Sequence, residues 1–180
     1  CIARWSSENG WQPLGSGMGS YVWAVGVYNN ELIAGGEFTT AGGVACNHIA
    51  RWNGSVWQAL GSGMNNTVKA FTVYDNELIA GGDFTIAGGV SCSGIARWDG
   101  SNWQPLGSGM GGISPYVVAL TNWNNELIAA GYFASAGGVT CNRIARWDGS
   151  TWQALGSGMN WPVFAVTNWN NELIAAGEFT

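Results

Sequence analysis

The phrase Ile-Ala-Arg-Trp occurs four times in this chain, at Ile2 to Trp5, Ile49 to Trp52, Ile95 to Trp98 and Ile144 to Trp147, with spacings of 47, 46 and 49 residues. Three copies run on as (Asp/Asn)-Gly-Ser-x-Trp-Gln-(Pro/Ala)-Leu-Gly-Ser-Gly-Met, and the first carries one extra residue before its second tryptophan. Such a period marks a stacked or radial repeat architecture, because one unit of this size cannot bury its own apolar face. Residues shared by every copy are therefore first suspects for structure. Residues that differ between copies are first suspects for function.

Within each repeat the apolar residues fall in four short runs separated by turn chemistry, the pattern of an all-β unit. In one copy these runs are 68–74, 77–84, 95–99 and 102–106. Asn29-Asn30, Asp75-Asn76, Asn124-Asn125 and Asn170-Asn171 join the first run to the second, and Asn53-Gly54, Asp99-Gly100 and Asp148-Gly149 join the third to the fourth. These residues tolerate the positive φ that tight hairpins require. Four antiparallel strands per repeat predict one propeller blade. The first strand carries bulk on both faces, as in Val22-Trp23-Ala24-Val25, so it is innermost. The fourth contains Pro13 and Pro105, which lack a ladder donor and belong at an outer edge.

The expected fold is a single all-β domain over 1–180, a β-propeller of four four-stranded antiparallel blades. Blade 1 spans 22–60, blade 2 68–106 and blade 3 117–155, while blade 4 combines 163–179 with 2–14 so that the two half-blades close the ring. The half-blades can equally pair between molecules, which makes a larger ring of two chains the alternative.

Leu32-Ile33-Ala34-Gly35-Gly36 and Leu78-Ile79-Ala80-Gly81-Gly82, each followed by two tryptophans five apart (Trp52 and Trp57, Trp98 and Trp103), resemble the kelch-type propeller motif. The longer phrase is similar to Trp-rich propeller repeats of secreted bacterial proteins and of fungal cortical polarity markers. The third and fourth repeats depart from it with Ala130-Gly131 and Ala176-Gly177. The resemblance implies a binding scaffold or an oxidase, and so assigns no activity by itself.

Charged residues are only 9% of the chain, and the net charge is -5 with a single lysine, Lys69. An acidic chain argues against nucleic-acid partners, and no apolar run reaches the roughly 20 residues of a membrane-inserted helix. Low charge, low lysine and the sequons Asn53-Gly54-Ser55 and Asn65-Asn66-Thr67 lean towards an extracellular or cell-surface location. The four cysteines, Cys1, Cys46, Cys92 and Cys141, stand at equivalent points of separate repeats, too far apart to bridge internally. They are either buried thiols or bridges to another chain.

Arg4, Arg51, Arg97 and Arg146 recur on the third strand, and Glu31, Glu77, Glu126 and Glu172 at the start of the second. Antiparallel pairing sets each arginine diagonal to its own blade's glutamate, a structural role. At the end of the second strand stand Glu37, Asp83 and Glu178, with Tyr132 at the equivalent position of the third repeat, and these acids suit turn caps, ligand contacts, Ca²⁺ or acid catalysis of glycoside hydrolysis. The loops between blades vary most, with Tyr21, Asn65, Asn66, Tyr116, Asn160 and Trp161 as candidate ligand contacts. Aromatic faces with amides and hydroxyls suit neutral sugars. The resulting expectation is a non-catalytic module, with no required cofactor, that binds a neutral glycan. Adhesive self-association or another protein partner is the second reading, and a propeller hydrolase the third.

Overall fold

The computed structural model describes residues 2–180, and these contain β-strands and turns but no helix. The chain opens with a hairpin, β1 (Ala3–Ser6) and β2 (Gly10–Pro13). The first full blade comprises β3 (Val22–Tyr28), β4 (Glu31–Gly36), the short pair β5 (Thr40–Ala41) and β6 (Val44–Ala45), then β7 (Ile49–Trp52) and β8 (Trp57–Ala59). The second repeats this plan as β9 (Val68–Tyr74), β10 (Glu77–Gly82), β11 (Ile86–Ala87), β12 (Val90–Ser91), β13 (Ile95–Trp98) and β14 (Trp103–Pro105). In the third, β15 (Met110–Gly111) precedes β16 (Tyr116–Trp123), β17 (Glu126–Tyr132), β18 (Ser135–Ala136), β19 (Val139–Thr140), β20 (Ile144–Trp147) and β21 (Trp152–Ala154). A last hairpin follows, β22 (Val163–Trp169) and β23 (Glu172–Gly177).

The three large sheets have the orders β3-β4-β7-β8, β9-β10-β13-β14 and β16-β17-β20-β21, with every neighbouring pair antiparallel. Asn29 and Asn30 at φ 49° and 61°, matched by Asp75 and Asn76 at 49° and 60°, make the tight first turn of each blade. The innermost strands pack face to face, β3 on β9, β9 on β16 and β16 on β22. Ion pairs run diagonally across each complete blade: Arg51 to Glu31 at 3.2 Å, Arg97 to Glu77 at 2.9 Å and Arg146 to Glu126 at 3.0 Å.

Each blade is also tied to the repeat before it. The indole N–H of Trp57 donates to the Leu14 carbonyl at 3.0 Å, Trp103 to Leu60 at 3.0 Å and Trp152 to Leu106 at 2.9 Å. All three indoles are buried, so the bond satisfies the one polar atom of a side chain that hides about 150–250 Å².

The inner strands are matched in volume from blade to blade. A Cβ on Gly35 would lie 2.5 Å from Phe71 of the next blade, and one on Gly81 would lie 2.6 Å from Val117 and 3.4 Å from Leu120. At the third interface Ala130 replaces the glycine, and it packs in one cluster with Val166, the smaller residue at the position of Phe71 and Leu120. The departure from the double glycine is therefore compensated across the interface, a large side chain facing glycine and valine facing alanine.

Two expectations meet the structure here. The half-blades expected to close the ring do not pair, because β1–β2 and β22–β23 form separate two-stranded sheets. The bond from Trp57 to Leu14 keeps the first hairpin beside the first blade, and β16 holds β22 beside the third. The result is an open arc with exposed faces at both ends, Trp23, Val25 and Val27 on β3 and Phe164 and Trp169 on β22. Cys46, Cys92 and Cys141 are buried free thiols, and burial pushes all three up from the ordinary thiol range. They are not available for bridges to another chain, since each Sγ lies inside its own blade; Cys1 lies outside the described residues.

Gly35→Ala should destabilise the chain by about 1–3 kcal/mol through overpacking. In denaturant titrations the double variant Gly35→Ala/Phe71→Val should recover at least about 0.5 kcal/mol relative to the sum of the single changes. The turns after β13 and β20 generate a second expectation. The Asp148 carboxylate accepts from the backbone N–H of Thr151 and Ser150 and from both hydroxyls, and Asp99 accepts from the N–H of Asn102 and Ser101. These bonds hold both carboxyls below the ordinary range, Asp148 most strongly. Their contribution is present above about pH 4 and is lost as pH falls towards the lowered folded values. Asn53 makes the same turn with an amide. Asp99→Asn/Asp148→Asn should therefore narrow the drop in melting temperature between about pH 5 and about pH 2.

Candidate ligand groove

The loops that link one blade to the next are anchored before they vary. Asn65 uses both ends of its amide within the protein: Nδ2 donates to Thr85 Oγ1 at 2.9 Å, and Oδ1 accepts from the N–H of Thr85 and Ile86, both at 2.9 Å. Asn160 does the same with Thr180, its Nδ2 donating to Oγ1 at 3.0 Å and its Oδ1 accepting from N–H at 3.2 Å. The equivalent residues in the other two loops are glycines whose backbone runs against Thr40 and Ser135, where a Cβ would meet the hydroxyl oxygens at 2.5 and 2.4 Å. Asn65 and Asn160 are thus loop anchors rather than ligand contacts.

Beyond these anchors, the loops of the second and third blades and of the last hairpin surround a groove of about 640 Å³. It brings together five of the residues expected from the sequence: Asn66, Asp83, Tyr116, Trp161 and Glu178. Tyr21 and Glu37 lie outside it, at the exposed end of the first blade. There Glu37 accepts a hydrogen bond from the Trp23 indole at 3.1 Å, and Tyr21 leans on the same indole with ring centroids 6.2 Å apart.

Tyr116 is not a free platform. The Lys69 ammonium sits 4.6 Å from its ring centroid, and Tyr132 stacks on it at 5.6 Å and 28°. Tyr132 in turn carries the Arg143 guanidinium at 4.5 Å, and Arg143 Nη1 donates to the Phe133 carbonyl at 2.9 Å. Lys69, Tyr116 and Tyr132 of this column line the groove, with Arg143 behind them, and Lys69 also bridges to Asp83 at 2.9 Å. The Asp83 carboxylate consequently faces the groove already neutralised by its own ammonium.

Lys69, Tyr132 and Arg143 were not singled out as contacts from sequence. Their signal was there in part, since each departs from its repeat equivalents: Lys69 replaces the apolar Trp23 and Phe164, Tyr132 replaces an acid, and Arg143 replaces His48 and Gly94. Trp161 is exposed and lines the same groove, together with Pro162 and Glu178. Asn66, Thr85 and Ser114 add an amide and two hydroxyls at the rim.

A second hollow of about 670 Å³ lies at the other ends of the same strands, lined by Tyr74, Asp75, Asn124, Asn125 and Asp148. Its lining is the turn chemistry that recurs in each repeat, which makes it a by-product of the hairpins. Among the described residues, no group of three or more His, Cys, Asp or Glu side chains converges to hold a metal ion.

Stacked inner strands, four-stranded antiparallel blades and the recurrent sequence phrase together define a β-propeller repeat protein. A family model described as a domain of unknown function (DUF5122) β-propeller matches residues 29–54 and 124–147. Among solved structures, the computationally designed Ika4 protein is similar, with a TM-score of 0.54 and 17% identity over 92% of this chain and 90% of that one, a likeness of fold alone. No curated protein matches the chain.

Buried thiols should resist modification in the folded protein. Cys46, Cys92 and Cys141 should react with a disulfide reagent only at the rate of unfolding, whereas fast labelling of all three in native buffer would show that the blades open readily.

Proposed function

We propose that this chain is a non-catalytic, extracellular binding module, a kelch-like propeller with four blades' worth of strands, that recognises a neutral glycan in the groove between the second and third blades and the last hairpin. The observation that carries this reading is the exposed Trp161 indole sharing the groove lining with polar side chains. An indole face covers the C–H face of a sugar ring, while Asn66, Ser114 and Thr85 can exchange hydrogen bonds with its hydroxyls and Glu178 can accept them. The pairing of Asp83 with Lys69 supports a neutral rather than an anionic ligand, because the groove's ammonium is already engaged and Glu178 adds a further carboxylate. It also weighs against Ca²⁺ at Asp83 and against Asp83 as a catalytic acid. Placement on loops held by a rigid sheet scaffold supports binding, since the variable residues are presented there.

The test is calorimetric titration with a panel of neutral oligosaccharides. Trp161→Ala should weaken the bound sugar at least about tenfold, roughly 1.4 kcal/mol, and Asn66→Ala should weaken it less. Tyr21→Ala should bind as the parent does. A panel with no binder, or equal affinity for Trp161→Ala, would refute the reading.

A further inference from the structure

We propose that a second copy of this chain completes the divided blade, so that two chains close head to tail into one ring of eight blades. Every contact that joins one repeat to the next inside the chain has one unmatched half at each end of the arc, and the halves are complementary.

The ladder is the first of these. In each complete blade the second and third strands pair in one register, Leu32 with Trp52 and Ile33 with Arg51, Leu78 with Trp98 and Ile79 with Arg97, Leu127 with Trp147 and Ile128 with Arg146. β23 offers Leu173 and Ile174 with no third strand beside it, and β1 offers Arg4 and Trp5 with no second strand beside it. The shared register sets Leu173 against Trp5 and Ile174 against Arg4 of the other copy. It also places Glu172 diagonal to that Arg4. Among the described residues these are the members of the recurrent Arg/Glu set left without each other, the other three pairs being closed at 2.9 to 3.2 Å.

The tryptophan tie is the second. Trp57, Trp103 and Trp152 are at most 3% exposed, each donating to the leucine carbonyl of the preceding repeat, whereas Trp11 is 72% exposed. The fourth leucine of that series, Leu155, lines an apolar hollow of about 500 Å³ with Ile144, Met159, Leu173 and Ala175. A Cβ on Gly15, Gly61 or Gly107 would touch the tryptophan pair of its neighbour, while one on Gly156, beside Leu155, would meet nothing within 4 Å. The space is shaped for Trp5 and Trp11 of another chain.

The inner strands give the third. Phe71 faces Gly35, Leu120 faces Gly81 and Val166 packs with Ala130; the next members of the two series are Ala176 and Val25, again alanine with valine. The tips agree. Tyr28 donates to the Asn76 carbonyl at 3.2 Å, Tyr74 to Asn125 at 3.2 Å and Trp123 to Asn171 at 3.0 Å, leaving Trp169 at one end and the Asn30 carbonyl at the other.

Within one chain these halves lie at opposite ends of an open arc. Two copies, each lending its start to the other's end, make a two-fold ring whose four blades per chain sum to eight, the top of the usual propeller range. Further copies would exceed it.

The experiment is native mass of the 180-residue chain in reductant at micromolar concentration, with the reversals Arg4→Glu and Glu172→Arg singly and together. The expected mass is twice the 19.0 kDa of one chain. Each single reversal should raise the dimer dissociation constant at least about tenfold, and the double variant, which restores an opposite-charge pair across the junction, should recover most of that loss. A monomer whose melting temperature shows the same reversal and recovery would mean that the blade closes within one chain, and would overturn the proposal. So would a larger or open-ended assembly, or a dimer indifferent to both reversals.

Discussion

The tryptophan that reaches back to the previous repeat's leucine carbonyl is the contact on which the architecture depends. A single blade exposes the indole on one side and the carbonyl on the other, so neither is satisfied until two blades meet. The bond is directional, and it sets the angle between neighbours more tightly than apolar contact alone can. It also explains why Gly15, Gly61 and Gly107 follow the leucine, since the chain there turns at positive φ directly against the tryptophan pair. With the blades indexed by this bond, the inner strands are brought together closely enough for glycine and alanine to matter, and the choice between Gly35 and Ala130 is decided by what the next blade presents.

Because so much of each repeat is committed to holding its neighbours, little of it can vary. Position 69 illustrates what happens where it does. The strand-end site that is Trp23 in one repeat and Phe164 in another becomes lysine, and its partners are all local: the recurrent acid, here Asp83, takes the ammonium, Tyr116 lies beneath it, and Tyr132 and Arg143 extend the stack. Four substitutions that look unrelated along the sequence are one column in space. This is the behaviour expected of a site grafted on a repeat scaffold, where specificity resides in the positions that escape the repeat.

That contrast also explains what was legible in advance. Strand positions, the Asn-rich turns and the Arg–Glu diagonal follow from period, turn chemistry and antiparallel geometry, all of which act within one repeat. The stacking of Tyr116 was not legible because both of its neighbours come from outside its own loop, Lys69 from the blade before and Tyr132 from the far end of the adjacent strand. Asn65 and Asn160 misled for a related reason. An amide in a variable loop looks free until the strand some 20 residues on is known to present Thr85 or Thr180 to it. Closure of the ring could not be read either, because a split blade is equally consistent with pairing inside a chain and between chains.

The ends of the arc lack the devices by which soluble sheets protect their edges. β23 runs Glu172-Leu173-Ile174-Ala175-Ala176-Gly177, with no proline, lysine or bulge on the side that would receive a third strand. At the other end β3 presents Trp23, Val25 and Val27 in alternation on one face, the pattern of a strand that expects a sheet against it. At the outer rim, by contrast, β2 and β14 carry Pro13 and Pro105. Two of the outer strands are thus blunted by proline, whereas the inner edges at β23 and β3 carry an apolar ladder with a free hydrogen-bonding side or face.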